Sequence, residues 1–145
     1  MSNDLVRTES RGHVLHVELN RPEKKNALTV EMYQVLADSL VRAEGDENVR
    51  VILLTGCGES FSAGNDLRDF LERPPVGIES PVHRFLAALV DATLPIVAAV
   101  QGHAVGIGTT MLLHCDLVYA GSGARFHLPF TSLGLVPEAG SSLLL

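Results

Sequence analysis

Two short segments carry the residue types that could do chemistry. Phe61-Ser62-Ala63-Gly64-Asn65-Asp66-Leu67 follows the aliphatic run Val51 to Leu54, and Gly102-His103-Ala104-Val105-Gly106-Ile107-Gly108 follows Ile96 to Val100. Each run reads as a buried strand, and each glycine-bearing segment as the turn that opens a helix. The first amides of a helix have no carbonyl partner within it. Two such turns converging on one point hold a developing negative oxygen between two main-chain donors. That is the physics of an oxyanion hole, and it suits chemistry at an acyl carbonyl. Glycine turns that only relieve packing explain one such segment easily and two less well.

The elements that must position these turns alternate along the chain. His13 to Leu19 alternates apolar and polar residues and predicts a first strand. Thr29 is placed to cap a helix with Glu31 in its first turn, and Met32, Tyr33, Leu36, Ala37 and Leu40 form an apolar stripe at helical spacing. Val49 to Leu54 predicts a second strand, Arg73 to Gly77 a loop, and Pro81 to Ala92 a second amphipathic helix. Ile96 to Val100 predicts a third strand, Gly106 to His114 a short helix, Leu117 to Ala120 a fourth strand and Ala124 to His127 a further one. Helices between apolar strands predict an α/β domain with a mostly parallel sheet, spanning residues 1–145. Glu138 to Leu145 reads as the start of a helix within which the chain stops, which predicts a fragment rather than a finished domain.

Composition narrows the partners. The chain has 145 residues, 46% hydrophobic and 19% charged, enough apolar material for one core. A net charge of −6 without a basic tract argues against a nucleic-acid partner. No apolar run is long enough to span a membrane, and residues 1–10 lack a secretory apolar region. Cys57 and Cys115 read as free thiols of a reducing compartment, so a cytoplasmic location is expected. Met111 stands where a dinucleotide fingerprint needs its third glycine, and neither a Gly-x-Ser-x-Gly elbow nor a Walker sequence is present. The six histidines lack ligand spacing, so no metal is expected.

Asn20-Arg21-Pro22, Asn26-Ala27-Leu28, the two glycine segments, Cys115-Asp116, Phe126 with Pro129, and Leu133-Gly134-Leu135 stand in an order that resembles the enoyl-CoA hydratase/isomerase (crotonase) superfamily. The resemblance implies a crotonase-like spiral of ββα turns, cut off before the helical trimerisation region. It also implies an acyl-CoA thioester substrate, with coenzyme A as part of the substrate and no separate cofactor, and a homotrimer or hexamer. The oxyanion donors it implies are the N–H groups of Asn65 and Ile107. Ala63, Gly64, Asn65, Asp66 and Leu67 would lie along the thioester and pantetheine, and Gly106, Ile107 and Phe130 would also contact the substrate. Lys24, Lys25 and Ala27 would receive the nucleotide end of coenzyme A.

The carboxylates divide the reactions. A typical hydratase of this family has glutamates where this chain has Thr110 and Phe130, and neither residue is a general acid or base near neutral pH. The run from Pro129-Phe130 to Pro137-Glu138 is similar instead to the Δ3,Δ2-enoyl-CoA isomerase branch, whose base maps to Glu138. One base that takes a proton from C2 and returns it at C4 suffices for that reaction, with Phe130 as an apolar wall. Hydration, another crotonase-type acyl-CoA reaction, or an inactive acyl-CoA-binding homologue are the alternatives. Taken alone, Glu138 also suits a helix start, complementing the dipole. An apolar wall would raise its pKa and helix amides would lower it.

Overall fold

Strand β1 (Val6–Arg11) folds back on β2 (Val14–Leu19) across a turn at Gly12, whose φ of +59° favours glycine. In the computed structural model, which describes residues 4–145, this hairpin starts the main sheet. β1 is missing from the sequence expectation for a physical reason. It is an edge strand with only Val6 buried, so its polar composition gives no alternating signal.

From β2 onward the sheet is parallel. β3 (Val51–Gly56), β4 (Ile96–Val100) and β6 (Leu117–Ala120) follow in the order β1-β2-β3-β4-β6. The mostly parallel α/β arrangement is therefore present, with β3 starting two residues later than its hydropathy suggests. A second, two-stranded sheet pairs β5 (His103–Val105) with β7 (Arg125–His127). β5 lies inside the second glycine segment, where three residues are too short for a period to show.

Helix α1 (Val30–Glu44) is capped by the Thr29 hydroxyl, which accepts from the Met32 amide at 3.4 Å. Its stripe of Met32, Tyr33, Leu36, Ala37 and Leu40 is buried as its spacing predicts. α2 (Leu67–Glu72) is short and capped by Asp66, and α3 (Pro81–Asp91) buries Val82, Phe85 and Leu89. Tyr33 and Phe85 pack with ring centroids 5.7 Å apart, tilted by 60°, joining α1 to α3. Burial of each such side chain contributes roughly 1.5–3 kcal/mol.

Two helical expectations are corrected. The helix over Gly106 to His114 is one α turn, α4 (Ile107–Thr110), continued by a 3-10 turn over Met111–His114. The final helix, α5 (Ser141–Leu144), begins three residues after Glu138. Glu138 therefore sits in the turn that precedes the helix rather than in its first turn. The reason is local: Ala139 (φ +54°) and Gly140 (φ +64°) are left-handed and break helical continuity.

Candidate functional site

The two glycine turns lie side by side, backbone against backbone. Ser62 N donates to His103 O at 3.0 Å and Val105 N to Ser62 O at 2.9 Å. A Cβ on Gly64 would stand 2.7 Å from the Val105 carbonyl, and one on Gly108 would stand 2.8 Å from the Ser62 carbonyl. Only glycine lets the turns approach this closely.

Each turn presents an amide that the fold leaves unused. Leu28 N donates to Gly64 O at 2.8 Å and Asp66 N to Leu28 O at 2.9 Å, so the intervening Asn65 N–H faces the other way. Gly106, at φ +55° and ψ −120°, turns its carbonyl into α4, where it accepts from Thr109 and Thr110. Ile107 N–H is then a helix-start amide. Among the described residues, neither Asn65 N–H nor Ile107 N–H has an acceptor in the chain.

Both residues line one cavity of about 590 Å³. Ala63, Gly64, Asp66, Leu67, Gly106, Phe130 and Glu138 line it too, as do Lys24 and Ala27 at the first loop. Lys25, expected beside Lys24, is not among the lining residues; it takes a left-handed φ of +50°, and its carbonyl accepts from Ala63 N at 2.8 Å. Ile107 offers only its amide, since its side chain is buried in the core. Leu133, Leu135 and Val136 add an apolar wall that sequence reasoning did not assign. Their cue is the apolar spacing around Gly134.

Two carboxylates reach this cavity, and they differ. Asp66 accepts from Arg21 Nη1 at 2.7 Å and from the Arg68 and Asp69 amides at 3.1 and 3.2 Å. The Arg21 guanidinium and those amides hold its pKa below the usual carboxylate range. Glu138 is part-buried and its carboxylate accepts no hydrogen bond among the described residues. Burial pushes its pKa up from the ordinary value. The opposing helix amides weighed from the sequence are absent because α5 starts beyond it. Thr110 is fully buried and off the cavity, and Phe130, 7% exposed, meets the cavity with an apolar ring.

Tyr33 is a further polar residue at the site, hidden within the apolar stripe of α1. Its hydroxyl donates to Asn65 Oδ1 at 2.5 Å. Burial first, and the Glu138 charge second, raise its pKa well above the ordinary phenol value. Among the described residues no three His, Cys, Asp or Glu side chains group closely enough to hold a metal ion, and no helix is long and apolar enough to cross a membrane.

Comparison with known proteins bears on the fold and the family. A family profile described as enoyl-CoA hydratase/isomerase matches residues 9–145. The chain is 40% identical to human enoyl-CoA delta isomerase 2 over 95% of its own length and 36% of that protein's. It is 35% identical to enoyl-CoA hydratase EchA19 of Mycobacterium tuberculosis, over 94% of the chain and 54% of the relative. The crystal structure of an enoyl-CoA hydratase/isomerase from Pseudoalteromonas atlantica T6c superposes with a TM-score of 0.92 at 51% identity, covering 96% of the chain and 55% of that structure. The chain thus spans between about a third and just over half of these relatives.

Proposed function

The chain belongs to the enoyl-CoA hydratase/isomerase family and has its fold, and from that premise we propose that it moves a double bond from C3 to C2 of an enoyl-CoA thioester. The observation that carries this reading is the solitary state of Glu138. Of the two carboxylates in the cavity it alone has no cationic or hydrogen-bonding partner among the described residues.

The chemistry needs one base and one oxygen cradle. The C2 protons of a 3-enoyl thioester are acidic because the carbanion spreads over the thioester oxygen and the double bond. Glu138 takes a C2 proton and gives it back at C4, and the electron pair shifts to leave the conjugated 2-enoyl product. The Asn65 and Ile107 amides hold the dienolate oxygen in between. Loss of one such donor raises a barrier by roughly 3–4 kcal/mol. Buried Phe130 gives the cavity an apolar wall, and the burial of Glu138 keeps its carboxyl basic enough to act. Lys24, which lines the same cavity, supplies a cation for the anionic end of the coenzyme A portion.

Hydration is the competing reading, since a hydratase stands among the relatives. It requires a second acid–base group, and Thr110 and Phe130 cannot supply one. The test uses a 3-enoyl-CoA and follows the absorbance of the conjugated thioester. Glu138→Gln is expected to remove turnover while acyl-CoA binding persists. A variant that stays fully active, or a parent chain that hydrates 2-enoyl-CoA instead, overturns the proposal.

A further inference from the structure

The segment that carries Glu138 closes on itself. Leu133 N and Leu135 N donate to Phe130 O, and Ser141 donates to Glu138 O through both its amide (3.0 Å) and its hydroxyl (2.7 Å). The amides of Leu143, Leu144 and Leu145 bond back to Gly140 and Ser141. Among the described residues, a single hydrogen bond joins residues 129–145 to the rest of the fold. It runs between His114 Nε2 and Ala139 O, at 2.7 Å.

That bond falls at a strained position. Ala139 carries a side chain at φ +54°, directly after Glu138 and directly before left-handed Gly140. A residue with a Cβ stays in that region only where its surroundings hold it. A carbonyl can only accept, so Nε2 carries a proton. His114 also ends the 3-10 turn that continues α4, whose first residue is Ile107. One eight-residue rod therefore has an oxyanion donor at its start and the tether of the Glu138 turn at its end.

We propose that His114 is a positioning residue: its Nε2–H, bound to the Ala139 carbonyl, holds the turn from which Glu138 enters the cavity, in register with the Ile107 amide. The role rests on Glu138 as the base. Ala139 packs against the core and Phe130 and Ser141 are buried, so the segment stays attached without the tether, and the effect of its loss is local.

The test compares His114→Gln, which keeps a donor at similar reach, with His114→Met, which does not. With a 3-enoyl-CoA, His114→Met is expected to lower kcat roughly 10- to 100-fold, with KM within about threefold, and His114→Gln to recover most of the loss. Carbon-13 NMR of the Glu138 carboxyl supplies a readout independent of turnover. Its titration midpoint is expected to fall toward the ordinary carboxylate value in His114→Met and to stay in His114→Gln. Parental kcat and midpoint in His114→Met overturn the proposal. In the parent protein, nitrogen-15 shifts showing a neutral imidazole protonated at Nδ1 overturn it without any variant. Failure of the base reading looks different: Glu138→Gln then stays active whatever His114 does.

Discussion

A carboxyl group that shares a cavity with Phe130, Leu133, Leu135 and Val136 pays for its charge in lost hydration. The folded-state pKa of Glu138 is raised, so the folded protein holds this proton more tightly than the unfolded chain does. The stability this provides is complete below the unfolded carboxylate value, and it is lost as pH rises through the folded one. Removing the ionisable group therefore helps only where it would be charged. Glu138→Gln is expected to raise the melting temperature at pH 7 and to leave it unchanged at pH 4, as differential scanning calorimetry at the two pH values would show. Turnover by the parent protein should rise with pH through a midpoint above the ordinary 4.5. A rate profile already flat at pH 5 contradicts a buried base. Glu138 as a candidate was legible in the sequence, but the balance of forces on its proton was not. That balance depends on where α5 begins, and two left-handed residues set that point.

The glycine turns were the most legible elements, because a strand feeding a helix through glycine leaves orphan amides whatever lies around it. Their contact was not legible. Ser62 pairs with Ala104 through a single bridge, too small a unit for periodicity to show. Tyr33 was read as core and is core, yet its hydroxyl reaches Asn65, because a stripe at helical spacing says nothing about where a phenol oxygen ends. The contact between turns predicts the effect of one methyl group. In Gly108→Ala the new Cβ meets the Ser62 carbonyl at 2.8 Å and the Ser62 Cβ at 2.9 Å, so α4 must move away from the first turn. Alanine is the better helix former by about 1 kcal/mol, and crowding of about 1–3 kcal/mol outweighs it. The variant should lose modest stability in urea melts. It should lose turnover by roughly 10- to 100-fold, since the two amides part. Full activity in a folded Gly108→Ala protein would show that the two amides do not act as a pair.

Across the whole molecule, the loop after β2 and the segment after β3 both lead to the site, and a buried asparagine fastens one to the other. Asn26 is fully buried at φ +56°. Its side-chain nitrogen donates to Cys57 O at 2.9 Å and Ser60 O at 2.8 Å, and its side-chain oxygen accepts from Arg21 N at 2.8 Å. Its own carbonyl accepts from the Ser62 hydroxyl at 2.9 Å. The loop carrying Lys24 and Ala27 is thereby bound to the segment that leads into the first glycine turn. The sequence showed Asn26 only within a motif; no local pattern reveals that its partners lie 31 and 34 residues away. Asn26→Ala leaves two carbonyls and one amide without partners in the interior, and it forces alanine to hold a left-handed φ. Each unpaired group costs about 1–3 kcal/mol, and part of that is relieved as the loop opens to water. A net loss of about 2–4 kcal/mol is expected, within the upper range for single substitutions, measured as a lower urea midpoint with an unchanged m-value. Because the same loop forms one lip of the cavity, acyl-CoA affinity should fall along with stability. Glu138→Gln should separate the two, sparing binding while removing turnover. An Asn26→Ala protein that keeps its midpoint would mean that the side-chain bonds of Asn26 do not hold the loop after β2 to the segment after β3.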